Sequence, residues 1–419
     1  MPTGTHQPRH FTVVGAGIVG VCCACALLRD GHRVTLIDRD EPGRGCSYGN
    51  GGIIQVGASV PVATPGVLRQ VPRMLLDPNG PLVIRWPYLP RLTPYLLRFI
   101  ASARPDRVER ISVAIAALLD GAIGAFREML GAAGALDAIA ATGELYVYQS
   151  ETAYRAARAA HDLRRRRGVR VEELSADEVR QLVPALAPSV RRGVFLPDCM
   201  TATNPFHLTT RLVNAFRRDG GVVLRETLRD IEMASDRRVT LLTGAGRHEV
   251  DRLVLATGAW SGRWAAKLGA RIPMDTERGY HVMLSDPGID LRVPVLSGDH
   301  RFGITSMVDG IRVAGTAELA GLEAPPNYRR AEMLVPMAEA LLPGLRTKPH
   351  ENWMGHRPST PDSLPVIARA PRIPDVFFAF GHGHLGLTLG PLTGKLIADL
   401  AAGRPPPVDM APYAAERFQ

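Results

Sequence analysis

The N-terminal part of the chain alternates apolar runs with a glycine-rich loop. Phe11–Val14 is a short apolar run rich in β-branched residues, which favours a strand. Small and apolar residues fill Gly15–Arg29, as is typical of a glycine loop followed by a helix, and Asp30-Gly31 can end that helix. Arg33–Ile37 again has the character of a strand and leads directly into Asp38. This order of strand, glycine loop, helix, strand and acid predicts a dinucleotide-binding unit.

Later segments predict a second unit with a different pattern. An alanine-rich stretch from Ile111 to Ala141 has helical character, and Glu144–Tyr148 follows it as a strand. Polar and apolar positions alternate in Tyr280–Leu284, Gly303–Met307 and Ile311–Gly315. Alternation with a period of two is typical of an antiparallel sheet that has one buried face.

The glycine spacing in the first loop matches the needs of a bound pyrophosphate. Gly15 allows the tight turn, Gly17 lets the backbone approach the phosphates, and Gly20 lets helix and strand pack closely. The start of the helix supplies free N–H donors, and Asp38 stands where a carboxylate can bind a ribose diol. The predicted dinucleotide-binding residues are Gly15, Gly17, Ile18, Val19, Gly20, Asp38 and Arg39.

Three further segments favour FAD over NAD. They are the glycine-rich stretch Gly45–Gly52, the apolar strand and small-residue turn Leu253–Trp260, and the C-terminal loop Gly381–Gly390. An NAD enzyme seldom needs such a C-terminal loop, whereas a helix that begins beside a flavin can stabilise its anionic reduced ring. The cofactor contacts predicted from these segments are Ser47, Asn50, Gly51, Gly52, Ala256, Thr257, Gly258, Trp260, Gly381, His382, Gly383, His384, Leu385, Gly386, Leu387 and Thr388.

In combination, these motifs carry a resemblance to a known family. The chain resembles the FAD-dependent amino-acid oxidoreductases of the D-amino-acid oxidase and glycine oxidase superfamily, and within it the D-amino-acid dehydrogenase small-subunit type, which includes hydroxyproline dehydrogenases. The resemblance extends from about Phe11 to Gly394. It rests on Gly15–Gly20, Ser47–Gly52, Ala256–Ser261, Arg278-Gly279-Tyr280, Gly355–Asp362 and Gly381–Gly386.

The resemblance implies FAD, two interleaved domains and oxidation of an amine next to a carboxylate. We expect an α/β fold, in which a Rossmann-like FAD-binding domain of the glutathione-reductase type is interleaved with an α+β substrate domain that contains a mostly antiparallel sheet. The cofactor motifs lie at both ends and in the middle of the chain, so both domains are expected to be discontinuous. We place the FAD-binding domain at 1–65, 150–270 and 350–419, and the substrate domain at 66–149 and 271–349.

Few groups are needed for flavin-dependent amine oxidation, because the protein mainly positions the substrate. Arg357 matches the carboxylate-binding arginine of the family, and a guanidinium can bind both carboxylate oxygens. Tyr280 could hydrogen-bond the same carboxylate, while its neighbour His281 would point to the opposite face of the strand. Tyr48 is a candidate for the substrate side of the flavin, and His384 for the substrate amine or the flavin. No cluster of carboxylates or cysteines accompanies His382 and His384, so we predict no metal.

The reaction expected is hydride transfer from Cα to flavin N5, which gives an imine; D-proline and hydroxyproline are among the plausible substrates. Related sarcosine oxidases attach their flavin through a cysteine near the T-P-D segment, but no cysteine follows Cys199 here, so FAD is expected to be non-covalent. Those oxidases also use an oxygen-activating lysine, and no lysine lies between Lys267 and Lys348. The chain is therefore expected to pass electrons to a quinone or another acceptor. An oxidase of the glycine or sarcosine type that uses O₂, and a non-catalytic flavin subunit of an electron-transfer complex, remain the alternatives.

Composition narrows the class of protein. Of 419 residues, 46% are apolar and 22% charged, which fits a globular protein with a large core. The five cysteines are an odd number, the first ten residues lack the pattern of a signal peptide, and no apolar run reaches the length of a spanning helix. We therefore expect a cytoplasmic protein with free thiols.

The net charge of +9 is concentrated in one segment, residues 66–104, which we call the arginine–aromatic segment. It contains arginines 69, 73, 85, 91, 98 and 104, the aromatic residues Trp86, Tyr88, Tyr95 and Phe99, and prolines 72, 78, 81, 87, 90 and 94. This composition fits either a surface excursion packed on its own domain or a peripheral contact with the inner face of a membrane. The basic run Arg164–Arg167 fits the solvated end of a helix, so we predict no nucleic-acid partner. The sequence also allows an oligomer.

Overall fold

The structure is a computed structural model that describes residues 8–77 and 80–418. Residues 1–7 and 419 of the predicted FAD-binding domain, and Pro78 and Asn79 of the arginine–aromatic segment, lie outside the described residues.

The strands in chain order are β1 (His10–Val14), β2 (Arg33–Asp38), β3 (Ile53–Ile54), β4 (Leu82–Ile84), β5 (Ile139–Ala140), β6 (Glu144–Tyr148), β7 (Glu172–Ser175), β8 (Arg192–Leu196), β9 (Met200–Ala202), β10 (Val222–Arg225), β11 (Leu228–Met233), β12 (Val239–Thr243), β13 (Arg247–Val250), β14 (Arg252–Leu255), β15 (Asp275–Leu284), β16 (Val295–Ser297), β17 (Phe302–Met307), β18 (Gly310–Leu319), β19 (His350–Ser359), β20 (Val366–Ala370) and β21 (Ile373–Phe380). The α-helices are α1 (Ile18–Arg29), α2 (Pro65–Leu76), α3 (Leu89–Ser102), α4 (Pro105–Ala133), α5 (Glu151–Arg166), α6 (Ala176–Leu182), α7 (Pro205–Arg218), α8 (Ser261–Lys267), α9 (Arg329–Glu332), α10 (Leu334–Leu341) and α11 (Gly386–Ala402).

A six-stranded sheet in the order β10-β2-β1-β14-β21-β20 forms the predicted dinucleotide-binding fold. Its strands run parallel except for the edge strand β20. The short apolar runs seen in the sequence are explained by burial on both faces, because helices cover one face and the small sheet β11-β12-β13 lies over the other. The predicted α/β fold class is confirmed by this sheet together with the large, mostly antiparallel sheet described below.

The helical face of this sheet is packed unusually closely through small residues. A Cβ on Gly394 of α11 would lie 2.4 Å from the backbone oxygen of Cys22 in α1, so only glycine permits this helix contact. The cysteines of α1 are buried in the same core, and burial raises the pKa of Cys22, Cys23 and Cys25. They therefore remain thiols, as expected from the sequence, and act as small core residues.

The second large sheet has the order β19-β15-β18-β17-β16-β6-β8-β7, with β4 paired to β18. Most of its pairings are antiparallel, and the parallel ones are β16 with β6 and β4 with β18. Alternate residues of β15, among them Tyr280, Val282 and Leu284, enter a core that helices α9 and α10 help to form. The alternation detected between residues 280 and 315 therefore belongs to strands with one core-facing side, as predicted.

Some segments pack differently from the predicted domain limits. Strands β7, β8 and β19 lie within the ranges assigned to the FAD-binding domain, yet they hydrogen-bond into the large antiparallel sheet. Helix α4 lies within a range assigned to the substrate domain, yet it packs against α1 and α11. These pairings join residues far apart in sequence, which local patterns do not encode. We therefore propose to assign 144–196 and 350–359 to the substrate domain and 105–133 to the FAD-binding domain.

The two sheets meet where their glycine-rich connections lie. Strands β1 and β14 are parallel neighbours, so the loops that follow them leave the same edge of the sheet. At the far end of β19, Ser359 forms a single β-bridge with His382 of the C-terminal loop. This bridge brings the edge strand of the large sheet to the loop that follows β21.

Candidate functional site

The first glycine loop is shaped by contacts that exclude side chains. Gly15 has φ +104°, and a Cβ there would lie 2.3 Å from the backbone oxygen of Ala256. A Cβ on Gly20 would lie 1.8 Å from the backbone oxygen of Gly15. The loop, helix α1 and the turn after β14 therefore touch one another through their backbones.

Gly17 differs from these two glycines, because among the described residues no backbone atom of another segment would lie within 4 Å of a Cβ built on it. Its backbone is extended, with φ −68° and ψ 172°, which any residue can adopt. Within the described part of the chain, the only atom within 4 Å of a Cβ built on it would be Ser47 Oγ, at 3.3 Å. The backbone at the start of α1 is therefore left open on this side, as close approach of a ligand would require.

The acid at the end of β2 faces the same loop. Asp38 accepts hydrogen bonds from the Ala16 N–H at 2.6 Å and the Asp40 N–H at 3.0 Å. Burial raises the pKa of this carboxyl, and the two backbone donors partly oppose that effect. Beside it, the guanidinium of Arg39 lies 4.3 Å from the ring centre of Trp260, in the turn after β14. The structure thus brings together Asp38, Arg39 and the turn Ala256–Trp260, which the sequence assigned to one ligand.

Ser47 and Asn50 organise the second glycine-rich segment. The Ser47 hydroxyl accepts a hydrogen bond from the Ile18 N–H at 2.9 Å, which ties this segment to the first turn of α1. Asn50 Oδ1 accepts from the Gly52 N–H at 2.8 Å. Gly51 is more open than Gly17, because no atom of the described chain would lie within 4 Å of a Cβ on it. The arginine Arg312 of β18 donates to the backbone oxygens of Tyr48 and Asn50, which holds this segment against the large sheet.

The two histidines of the C-terminal loop have different surroundings. Gly381 and Gly383 have positive φ angles of 80° and 52°, and the loop leads into α11. His382 is buried and hydrogen-bonds Thr393 at 2.9 Å, and burial lowers its pKa to about 3. His384 instead faces the large sheet, where it contacts Glu277.

The other predicted residues of this loop divide between the core and the loop surface. Leu385 and Leu387 point into the core beside α1, so only their backbones face the loop. Thr388 is tied to the second glycine-rich segment, because its hydroxyl accepts from the Gln55 N–H at 3.0 Å.

Arg357 lies on the face of the large sheet that meets the cofactor loops. In the antiparallel pair β15–β19, Glu277 is opposite Arg357, Gly279 is opposite Gly355, and His281 is opposite Trp353. A Cβ on Gly279 would lie 2.2 Å from Arg357 Nη2, so the guanidinium lies across the space that glycine leaves. Arg357 donates a hydrogen bond to the Thr316 backbone oxygen at 3.2 Å.

Tyr280 requires a correction. It points to the opposite side of β15, where it is buried in the apolar core. Its hydroxyl donates to Glu318 and accepts from the Asn327 N–H at 3.0 Å. Its hydrogen-bonding capacity is therefore used on the side of the strand that faces away from Arg357. Strand alternation predicted that only one of Tyr280 and His281 faces the pocket. We propose His281 in place of Tyr280.

Aromatic rings complete the Arg357 side of the sheet. His281 stacks on Trp353 with 5.0 Å between ring centres, and its Nδ1 lies 3.3 Å from the backbone oxygen of Gly49. Burial, aided by the charges of Arg312 and Arg357, lowers the pKa of His281 to about 3. Tyr48 lies on the same side, with its ring centre 6.2 Å from that of Trp353.

The sequence reasoning missed Glu277 and Trp353. Glu277, Gly279 and His281 occupy alternate positions of one strand, so the alternation that separates Tyr280 from His281 could also have selected Glu277. Trp353 stands two residues before Gly355, and no local signal distinguishes it from a packing residue.

We predict that the protein loses stability in mild acid, because several histidines are buried and neutral in the folded state. Burial lowers the pKa of His161 to about 4 and that of His281 and His382 to about 3. A histidine of the unfolded chain has a pKa of about 6.5, so between that value and about 4 the unfolded state binds more protons. The free energy of unfolding should therefore fall with decreasing pH, by up to about 1.4 kcal/mol per pH unit for each histidine.

Thermal unfolding of the apoprotein at about pH 7.5 and about pH 5.5 measures this effect. His161 lies outside the cofactor loops and hydrogen-bonds the Tyr148 hydroxyl at 2.7 Å. The variant His161→Gln should show a smaller drop in Tm between the two pH values than the wild type. An equal drop in both proteins would rule out a contribution from this histidine.

Comparison with known proteins identifies what the chain is similar to. Residues 10–400 match the model of a family described as FAD dependent oxidoreductase. The chain is 38% identical to a protein named D-amino-acid oxidase from Bradyrhizobium diazoefficiens, over 100% of both chains. It is 32% identical to a protein named D-amino acid dehydrogenase from Paramagnetospirillum magneticum, over 97% of this chain and 98% of that protein. Among solved structures, glycine oxidase from Geobacillus kaustophilus superposes with a TM-score of 0.74 at 20% identity, over 97% of this chain and 98% of that one.

Proposed function

Because this chain belongs to the family of FAD-dependent oxidoreductases, we propose that it oxidises D-amino acids at the bond between Cα and the amino nitrogen. The sequence-based prediction of an FAD-dependent amino-acid oxidoreductase is confirmed by the family match and by the similarity to proteins named for D-amino acids. The observation that carries the proposal is the guanidinium of Arg357, which lies across Gly279 on the side of the large sheet that faces the cofactor loops.

The residues present fit an FAD. Among the described residues, no atom would lie within 4 Å of a Cβ on Gly51, and the single side-chain atom Ser47 Oγ, at 3.3 Å, would contact a Cβ on Gly17. The N–H groups at the start of α1 would bind the pyrophosphate, and Asp38 the ribose diol. The start of α11 after Gly383 would face the pyrimidine part of the ring. We propose that the cofactor is held in this way and without a covalent bond.

The substrate is oriented by its carboxylate. A bound FAD would supply the acceptor for the hydride on the substrate Cα, so that the amino acid would be converted to an imine. Arg357 provides a planar pair of N–H donors that fits both carboxylate oxygens, and the rings of Tyr48, His281 and Trp353 pack together on the same side of the sheet. The imine product hydrolyses in water to an oxo acid, or remains cyclic when the substrate is a proline analogue.

A screen for anaerobic reduction of the bound flavin tests this function. D- and L-enantiomers of amino acids, including proline and hydroxyproline, are mixed with the holoenzyme without oxygen, and the visible absorbance of the flavin is followed. The proposal predicts bleaching by D-amino acids. It fails if amino acids leave the flavin oxidised while dithionite reduces it, which is the behaviour of a non-catalytic flavin subunit.

The identity of the electron acceptor distinguishes a dehydrogenase from an oxidase. We propose a dehydrogenase that reduces a quinone or a similar acceptor, because no lysine lies between Lys267 and Lys348 to activate oxygen in the manner of sarcosine oxidases. An oxidase is the second candidate, since the relative with 38% identity is named an oxidase. Turnover in air with little hydrogen peroxide, together with fast reduction of a quinone analogue, supports the dehydrogenase. Stoichiometric hydrogen peroxide supports the oxidase.

The arginine–aromatic segment is the proposed route to a membrane-bound acceptor. Helix α2 buries none of its side chains, and Leu76 at its end is 84% exposed. Trp86 is 67% exposed, whereas Tyr95 packs inward with Leu92. No helix in residues 8–77 and 80–418 has the length and apolar character needed to cross a bilayer. We therefore propose a cytoplasmic protein that contacts the inner face of the membrane peripherally.

Liposome binding checks this proposal. Arginines 69 and 73 are exposed on α2, so reversing their charges should abolish retention of the protein by anionic liposomes at low salt. The double variant Arg155→Glu with Arg158→Glu, on the exposed side of α5, makes the same change in net charge elsewhere and should leave binding close to that of the wild type. Equal retention by neutral and anionic liposomes would contradict an electrostatic contact.

A further inference from the structure

Glu277 and His384 lie beside Arg357. Neither residue is needed for binding the substrate carboxylate or for shaping the glycine loops. Glu277 of β15 is directly opposite Arg357 of β19, and its side chain is 12% exposed. The Nε2 atom of His384 lies 3.0 Å from Glu277 Oε2, although 107 residues separate them in the chain. The His384 side chain is 45% exposed, so the pair connects the interior of the site with solvent.

Charge keeps Glu277 ionised. Burial alone would raise the pKa of this carboxyl, but the hydrogen bond from His384, the charge that His384 carries once it is protonated, and the charge of Arg357 lower it to about 2. Asp275, on the same strand, and Tyr95 of α3 interact electrostatically with Glu277, while His281 and Cys46 interact with Arg357. A negative charge thus remains in the site at every pH at which the enzyme would work.

The two opposite charges remain separate. Arg357 donates to the Thr316 backbone oxygen. No carboxylate of the described chain lies within 4.0 Å of its guanidinium, so it forms no ion pair there. Glu277 instead pairs with His384. The site therefore presents a cation and an anion on facing positions of two paired strands, which matches the two charges of a zwitterionic amino acid.

We propose that the Glu277–His384 pair receives the amino group of the substrate, attracting the ammonium and removing one of its protons. This inference rests on the proposed function, because it takes Arg357 as the group that binds the carboxylate of the same molecule. It implies that the enzyme selects α-amino acids over hydroxy acids and simple carboxylates.

The proton balance assigns one role to each residue. Hydride loss from Cα requires a neutral amine, since the electron pair on nitrogen must form the new C=N bond. One N–H bond of the ammonium breaks, the electron pair stays on nitrogen, and the proton forms a bond with His384 Nδ1. Glu277 fixes the ring through Nε2 and stabilises the imidazolium, so it is a positioning residue. The exposed ring then releases its proton to water.

Two ligands of equal shape test the recognition step without turnover. 2-Aminoisobutyrate has an ammonium and a carboxylate but no hydrogen on Cα, and pivalate replaces its ammonium by a methyl group. Their dissociation constants are measured from the change in the visible flavin spectrum. The wild type should prefer 2-aminoisobutyrate, and Glu277→Gln should reduce that preference by about tenfold or more, because it removes the charge but keeps the shape.

The control uses another glutamate–histidine pair, in which Glu332 belongs to α9 and His350 to β19. Glu332 contacts His350 at the other end of β19, at 3.2 Å, and Glu332→Gln should leave the ligand preference unchanged. An unchanged preference in Glu277→Gln that still binds FAD overturns the inference, even when D-amino acids reduce the wild-type flavin. Failure of all amino acids to reduce that flavin would instead overturn the proposed function.

The pH dependence tests proton removal separately and covers the case in which Glu277→Gln does not fold. In His384→Asn, anaerobic flavin reduction should slow strongly near neutral pH and recover at the alkaline pH where the free amine is already neutral. Rescue at high pH is not expected from a merely structural defect. A reduction rate with the same pH profile as the wild type would overturn the role of His384.

Discussion

We expect Arg357→Ala to raise the KM for the amino-acid substrate by about 30- to 1,000-fold, because truncating one member of a hydrogen-bonded charge pair costs about 2–4 kcal/mol. The FAD content should remain unchanged, since Arg357 lies on the large sheet and not in the glycine loops. Arg357→Lys should recover only part of the affinity, because an ammonium lacks the planar pair of donors. Steady-state kinetics and the ratio of flavin to protein absorbance measure both effects.

A matched variant separates this effect from a general loss of positive charge. Arg346→Ala removes an exposed arginine of the same domain that pairs with Asp286. It should change KM little, because exposed ion pairs contribute about 1 kcal/mol or less. A KM close to the wild-type value in Arg357→Ala would refute the assignment of the carboxylate to this residue.

The second large effect is expected at Gly17. Gly17→Val should weaken FAD binding by about 100-fold or more, because its side chain would occupy the space beside the first turn of α1 and cost at least two charge-assisted hydrogen bonds. The apoprotein should keep its stability, since the backbone at Gly17 is extended and only Ser47 Oγ lies near its Cβ in the described structure. FAD titration of the apoprotein and its thermal unfolding give the two measurements.

Gly124 provides a control, because its substitution should affect stability and not FAD binding. Gly124 lies on the exposed side of α4, with open space around its Cβ among the described residues. Gly124→Ala should raise stability by about 0.5–1 kcal/mol and leave FAD affinity unchanged. If Gly17→Val binds FAD like the wild type, the pyrophosphate does not approach the backbone at this loop. If its apoprotein is strongly destabilised, Gly17 instead has a structural role.

The glycine motifs were predictable from sequence because their cause is local. Gly15 needs a positive φ, and Gly20 faces the backbone of the loop only five residues before it, so the motif itself encodes the geometry. The strand β15 was also predictable from sequence, because polar and apolar positions alternate in its part Tyr280–Leu284.

Which side of β15 faces the site could not be predicted in this way. Alternation places Tyr280 and His281 on opposite faces, but the choice between them depends on where the core helices and the cofactor loops pack. The Tyr280 hydroxyl is taken by Glu318 and the Asn327 N–H, and these lie 38 and 47 residues away in the chain. The Glu277–His384 contact was invisible for the same reason, since it forms only when the C-terminal loop meets the large sheet.

The central claim is that Arg357 and the cofactor loops hold an amino acid with its Cα–H towards the flavin. Its most direct test is anaerobic reduction of the holoenzyme by one D-amino acid and by the same compound with deuterium on Cα. We predict loss of the visible flavin absorbance, with slower loss for the deuterated substrate. A flavin that stays oxidised with every D-amino acid, while dithionite still reduces it, would contradict the claim.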